Sequence, residues 1–170
     1  MAKSLFPLLF LIIIFLFLLV ISGSEEQEGD DIHELLPKYN LPRGLLPANV
    51  ASYTFNPPSS PSSGADGAFS IKLTSPCYVH FGDQVVYYGR DISGMLGYGA
   101  VRDAKGIQAK KLFVWLSVTG MQVDQGDGSV EFFVGSLSEK LPAKEFEDVP
   151  ACGSKATLLR GLTSPALEFI

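Results

Sequence analysis

Histidine and acidic side chains, the usual ligands of metal sites, are few in this chain and poorly spaced for that role. The two histidines, His33 and His80, have no neighbouring ligands at a spacing that would let them share a metal ion. Asp124-x-x-Asp127-Gly128 resembles the first half of a calcium loop, but it lacks a third acidic position and the distal glutamate. We therefore predict solvated or hydrogen-bonded histidines, a plain hairpin turn at 124–129, and neither a metal site nor a cofactor.

Serines and glycines likewise form none of the familiar catalytic motifs. A hydrolase serine typically lies in a Gly-x-Ser-x-Gly turn, and neither Ser93 nor Ser136 has that surrounding sequence. The glycine-rich stretch 94–99 lacks the strand-to-helix context that a phosphate cradle needs. A Walker loop, a dinucleotide fingerprint and a Cys-x-x-Cys motif are also absent. The sequence therefore favours a non-enzymatic protein.

Cys77 and Cys152 are the only two cysteines, and they allow one intramolecular disulfide. In the chain-entropy model a bridge closing so long a loop would stabilise the fold by about 4 to 5 kcal/mol. Two free, buried thiols are the alternative. We predict the disulfide, provided that the protein enters an oxidising compartment.

The N-terminus predicts such a compartment. Lys3 precedes an apolar run from Leu8 to Ile21, and the small residues 22–24 follow it, which is the pattern of a secretory signal peptide. We assign residues 1–24 to the signal, 25–30 to an acidic spacer, 31–155 to one domain and 156–170 to a C-terminal tail. The prediction is an extracellular or cell-wall protein; an uncleaved signal that anchors it to a membrane is the alternative.

The net charge of −5 argues against nucleic acid as a partner, because such complexes depend on many cationic contacts.

Periodicity predicts a mainly β domain with one short N-terminal helix. Asp31 can cap a helix in which apolar residues recur at 32, 35, 36 and 39, although Pro37 limits its length. Alternating strands follow, at 69–73, 77–81 and 84–88, and the Pro- and Ser-rich segment 56–67 is a long hairpin connection. Leu112–Val118 is apolar on both faces and predicts a central, covered strand. Short strands joined by glycine-rich turns indicate an antiparallel sheet, either barrel-like or a sandwich.

Two groups of side chains within these strands could bind a ligand. Aromatic residues could line an apolar cavity or patch for an amphipathic molecule, although ordinary core packing is the alternative. A run of cations from 102 to 111 could contact anionic headgroups, and a solvated turn is the alternative. The candidate ligand-binding residues are Tyr87, Tyr88, Phe113, Trp115, Lys110 and Lys111.

From Leu35 onward the order of motifs resembles the plant domain-of-unknown-function family 538. The resembling segments are LLPKYNLPRGLLP (35–47), CYVHF (77–81), VYYGRDISG (86–94), KKLFVW (110–115), VG (134–135) and FEDVPAC (146–152). The resemblance implies a small secreted plant domain with a β-barrel-like fold. It also implies a likeness to the lipid-binding half of bactericidal/permeability-increasing proteins, and some members have been proposed to act on chlorophyll.

Three functions remain after these observations. The chain is predicted to be a secreted, non-enzymatic protein that binds a lipid-like or other amphipathic molecule and can contact a membrane surface. An esterase that acts on pigment or lipid esters is the second hypothesis, and it depends on the resemblance alone. The third hypothesis is a structural or interaction module of the cell wall.

Overall fold

A computed structural model describes residues 31–58 and 66–154. The predicted signal peptide, the acidic spacer, residues 59–65 of the long connection and the C-terminal tail lie outside the described residues.

The helix forms where its capping residue and apolar spacing predict it. Helix α1 spans Ile32–Lys38, and the Asp31 carboxylate accepts a hydrogen bond from the His33 backbone N–H at 3.1 Å. Ile32 and Leu36 are buried, and the helix ends one residue after Pro37, which has no N–H to donate to a helical bond. A short 3-10 turn at Arg43–Leu45 then brings Leu45 and Leu46 into the core.

Eight strands account for most of the described chain. They are β1 (Val50–Asn56), β2 (Gly67–Leu73), β3 (Cys77–Phe81), β4 (Gln84–Gly97), β5 (Ala100–Lys111), β6 (Val114–Asp124), β7 (Ser129–Val134) and β8 (Leu137–Pro142). A second 3-10 turn, Ala143–Phe146, follows β8.

The strands form one antiparallel sheet in the order β1-β2-β4-β5-β6-β7-β8, and β3 also pairs with β4. Strand β4 serves both partners because its first half pairs with β3 and its second half pairs with β2. The prediction of a mainly β fold with one N-terminal helix is confirmed. The described sheet stays open and single, so it is neither a closed barrel nor a two-sheet sandwich.

The core lies on one face of this curved sheet, beneath α1 and the two 3-10 turns. Phe146 of the second turn is among its largest buried side chains, and its ring packs on Phe81 of β3 at 4.6 Å and on Phe132 of β7 at 5.3 Å between centroids. This turn therefore packs against both β3 and β7, two strands that do not pair with each other.

Glycine spacing between 89 and 106 predicts bulges, and the pairing of β4 with β5 is irregular there, with register shifts between Tyr88 and Met95. Gly106 has a φ of 84°, and a Cβ at this position would collide with the backbone carbonyl oxygen of Asp91. The close approach of the two strands therefore requires glycine at this position.

The prediction of a central, covered strand at Leu112–Val118 is wrong. Leu112 and Phe113 form the turn between β5 and β6, and both side chains point into solvent. Strand β6 pairs with β7 only from Val118 onward. Residues 114–117, which precede Val118, pair with β5 but with no other described strand. We call the paired segment Gln108–Ser117 the arm; β4 supports its β5 side, and its β6 side is open.

No helix among the described residues is both long enough and apolar enough to cross a membrane.

Candidate functional site

The outer face of the sheet carries an aromatic cluster that includes two of the predicted residues. Tyr78 of β3 is the register partner of Tyr87 of β4, with ring centroids 5.1 Å apart. Trp115 of the arm reaches both rings, at 5.9 Å from Tyr78 and 6.2 Å from Tyr87. The rings meet at tilted or edge-on angles, so the cluster packs against itself and leaves Trp115 36% exposed.

The tip of the arm is the most exposed apolar part of the described surface. Leu112 is 89% exposed and Phe113 is 95% exposed, and Val114 beside them is also open to solvent. Single exposed apolar residues are ordinary, but a contiguous apolar group at an exposed turn is typical of an interaction surface.

Leu112 also adopts a backbone conformation that its side chain disfavours. Its φ is 52°, in the left-handed region, where a residue with a Cβ is less stable by about 1–2 kcal/mol. Two-residue hairpin turns favour glycine, asparagine or aspartate at such positions. A leucine at this position makes the fold less stable and presents apolar surface to water, which is the pattern expected where a side chain is kept for binding.

The two candidate lysines have different environments. Lys110 is the register partner of Trp115, so it lies beside the aromatic cluster on the outer face. Lys111 instead forms an ion pair with Glu139 of β8 and donates a hydrogen bond to the Gln84 side chain at 2.9 Å. Partial burial lowers the pKa of Lys111. Lys111 is therefore part of the contact between β5 and β8, and Lys110 is the lysine left for a ligand.

The wider run of cations does not form one patch. Arg102, at the opposite end of β5, forms an ion pair with Asp66, and this contact raises the pKa of the guanidinium. Lys105 lies between the two ends and is exposed. The four cations lie along strand β5, and two of them form ion pairs, so they form neither a common patch nor a solvated turn.

Tyr88 lies on the inner face, apart from the cluster. Its ring is buried and its hydroxyl donates a hydrogen bond to the Leu45 carbonyl at 2.8 Å, while burial raises the pKa of the phenol. The structure thus places Tyr88 in the core, where it holds the first 3-10 turn against the sheet.

Two small voids lie beneath the sheet, and a larger, open pocket of about 240 Å³ lies between β5 and β6 near Phe133. One small void lies between Phe81, Val86 and Phe146 and the other between Leu36, Ile71 and Ile92, each with a volume of about 30 Å³. Pockets for drug-sized ligands have volumes of about 300–1,000 Å³. Neither void can hold a lipid as the side chains stand, so a ligand of that size needs an external surface.

The histidines and aspartates considered as possible metal ligands have other surroundings in the structure. The His33 Nδ1 is 3.0 Å from the Arg43 carbonyl oxygen, and His80 is exposed. Lys140 of β8 donates to Asp124 at 2.6 Å and to Asp127 at 3.0 Å. The contact with Lys140 lowers the pKa of Asp124, and the pKa of Asp127 is lowered first by a hydrogen bond from the Ser129 hydroxyl and then by Lys140. Within the described residues there is no group of side chains that could hold a metal ion.

Sequence analysis missed β8, which supplies both Glu139 and Lys140. Its only apolar signals are Leu137 and Leu141, too few to reveal a strand by periodicity.

The predicted Cys77–Cys152 disulfide is confirmed, with Cα atoms 5.3 Å apart. Immediately beyond it, Gly153 forms an isolated antiparallel bridge with Tyr78, and the two backbones exchange hydrogen bonds at 2.9 and 3.1 Å. The end of the described chain is therefore held beside β3, next to the aromatic cluster.

Comparison with known proteins agrees with the motif order. The family model that describes a "protein of unknown function, DUF538" matches residues 32–147. The chain belongs to the DUF538 family. The matched range runs from α1 through the second 3-10 turn and contains the whole arm.

This DUF538 chain is also similar to an uncharacterized protein of Arabidopsis thaliana, with 28% identity over 115 residues. The match covers 67% of this chain and 61% of the relative, so the chain spans about three fifths of the relative's length. No solved structure matches the chain. The family is thus established, and its description names no ligand or reaction.

Proposed function

We propose that this DUF538 protein is a non-enzymatic binding protein of the secretory pathway, and that it holds a lipid-like or other amphipathic ligand on the arm. The observation that carries the proposal is the exposure of Leu112 and Phe113 at the tip, at 89% and 95%. The disulfide supports the compartment, because such bonds persist in oxidising environments.

The energetics favour a surface site over an internal one. Moving an exposed leucine or phenylalanine out of water is favourable by about 1.5–3 kcal/mol for each side chain. The tip offers two such side chains without any rearrangement of the fold. An internal site would instead require the packed core around the 30 Å³ voids to open.

The chemistry beside the tip explains why the ligand is amphipathic. Trp115 and the two tyrosines combine large apolar rings with polar N–H and O–H groups, and Lys110 adds a cation on the neighbouring strand. A molecule with an apolar chain and a polar headgroup would match both parts of this surface. No observation favours the esterase hypothesis, since within the described residues neither histidine forms a hydrogen bond with a serine or cysteine side chain.

The test uses a single-chain lysolipid, kept below the concentration at which it forms micelles. Trp115 is the only tryptophan, so its emission reports on the arm alone. We expect the lysolipid to shift that emission to shorter wavelength, and Phe113→Ser to weaken the titration about tenfold.

The matched control is Tyr98→Ser. Tyr98 is 74% exposed in the β4–β5 turn, at the opposite end of the sheet, so its loss removes an exposed aromatic ring without touching the arm. The proposal is refuted if the lysolipid does not bind, or if Phe113→Ser and Tyr98→Ser bind it equally well.

A further inference from the structure

We propose that the occupant of the arm is the surface of a lipid bilayer, into which the hairpin inserts its tip. This inference rests on the proposed function and narrows it from amphipathic molecules in general to an assembled membrane. The interaction surface is the arm, and the order of its side chains is what would recognise the bilayer.

Side chains along the arm follow the polarity profile of a bilayer. The apolar Leu112 and Phe113 are at the tip, where the hydrocarbon begins. Trp115 lies two residues after Phe113 and farther from the tip, and tryptophan side chains favour the level of the headgroups. Its register partner Lys110 can extend its aliphatic stem and keep its ammonium group among the headgroups. A soluble protein partner would not require this order.

The dimensions of the arm suit shallow insertion. Val114 lies four positions before Val118, where pairing with β7 begins, so the open part of β6 extends about 13 Å beyond that pairing. Interfacial apolar faces are typically buried about 5–10 Å into the boundary between headgroups and acyl chains. The tip can therefore reach that depth while the β7–β8 turn stays near the membrane surface. The β3–β4 turn at Gly82 and Asp83 ends beside the tip, because Val86 pairs with Ala109, so its polar side chains would lie among the headgroups.

Electrostatics around the tip predict little preference for anionic lipid. Lys111 is neutralised by Glu139, and Asp83 lies in the β3–β4 turn at the same end of the sheet. Glu145 approaches the neighbouring Gly82. These carboxylates oppose a net positive charge at this end of the sheet, and the net charge of the chain, −5, opposes a polybasic mode of attachment.

The leucine at the turn position fits the same interpretation. A glycine or asparagine would relieve the left-handed φ of 52° but would remove the apolar tip. Keeping leucine and phenylalanine at the two turn positions places their side chains farthest from the sheet, where an inserting hairpin needs them.

The experiment measures co-sedimentation of the full secreted protein with phosphatidylcholine vesicles. We expect binding, and a change of less than about threefold when anionic phosphatidylglycerol is mixed into the vesicles. Phe113→Ser should weaken the partition coefficient about tenfold, and Tyr98→Ser should stay within twofold of the parent. Both variants carry the same N-terminus as the parent, so any membrane affinity of that segment cancels in the comparison.

Insertion depth is measured by quenching of Trp115 with brominated phosphatidylcholines. Bromine near the headgroup end of the acyl chain should quench more strongly than bromine near the chain end, because the ring lies behind the tip. Phe113 is almost fully exposed, so Phe113→Ser should unfold at the temperature of the parent, which excludes misfolding as a cause of weaker binding.

The outcomes separate this inference from the proposed function. Lysolipid binding without vesicle binding overturns the membrane inference and leaves the proposed function standing. Absence of both refutes both. Vesicle binding that Phe113→Ser leaves unchanged, or that increases more than about tenfold with phosphatidylglycerol, also overturns the inference, because another surface or a charge-driven mode would then be responsible.

Discussion

Replacing Leu112 by asparagine should make the protein more stable while it weakens binding. The residue has a φ of 52°, which disfavours a leucine by about 1–2 kcal/mol, and asparagine tolerates this region better than other non-glycine residues. Leucine is 89% exposed, so its removal sacrifices almost no buried apolar surface. We therefore expect Leu112→Asn to raise the free energy of unfolding by about 1 kcal/mol.

For a domain of this size, that gain corresponds to a rise in Tm of about 3–5 °C. The assay is thermal unfolding followed by circular dichroism, with the disulfide kept oxidised. Asp103→Leu is the reverse exchange, since Asp103 is exposed and has a φ of 51°. That variant should lower the unfolding free energy by a similar amount. If Leu112→Asn is destabilising, the leucine packs usefully in the free protein, and the interpretation of the turn as strained for binding is wrong.

Three further predictions concern the scaffold. Replacing both Cys77 and Cys152 by alanine opens a loop with a sequence separation of 75 and should lower the free energy of unfolding by about 4 kcal/mol, measured in urea. Tyr88→Phe leaves a buried carbonyl without its donor and should cost about 1–2 kcal/mol in the same urea assay, with lysolipid binding unchanged. Lys140→Met should raise the pKa of Asp124, which can be followed by NMR titration of the side-chain carbonyl carbon. The pKa of Asp124 is lower in the folded protein than in the unfolded chain, so its ionised form stabilises the fold above the ordinary carboxyl pKa of about 3.9. This stabilisation is lost as the pH falls below that value. Lys140→Met should therefore lose less stability than the parent over the same acid range.

Elements specified by neighbouring residues could be predicted from the sequence. The Asp31 cap and the apolar spacing gave α1, and the strict alternation of Cys77, Val79 and Phe81 gave β3 with its inward and outward faces. Local rules suffice where capping, periodicity and turn chemistry agree. The disulfide followed because two cysteines have only one intramolecular pairing.

The arm could not be predicted because its turn lacks turn residues. An uninterrupted apolar run from Leu112 to Val118 is typical of a strand covered on both faces, and nothing local indicates that the chain reverses at its first two residues. The ion pair between Lys111 and Glu139 depends on the curvature of the sheet, which brings β5 and β8 together across the core. Of the three rings of the cluster, the candidate residues predicted from the sequence included Tyr87 and Trp115 but not Tyr78, and the prediction did not separate them from the buried Tyr88.

The order of the strands has a consequence for how the protein is made. Most pairings in the described sheet join consecutive strands, and the exception is β2 with β4, which skips only β3. Each hairpin can therefore form soon after its residues leave the ribosome. The disulfide is different, because Cys77 must wait until residue 152 has been synthesised. By then the residues of all eight strands have been synthesised, so the bond can form on a completed sheet. Two cysteines allow one intramolecular pairing, so correcting a wrong intramolecular disulfide is not a step in the folding of this sequence.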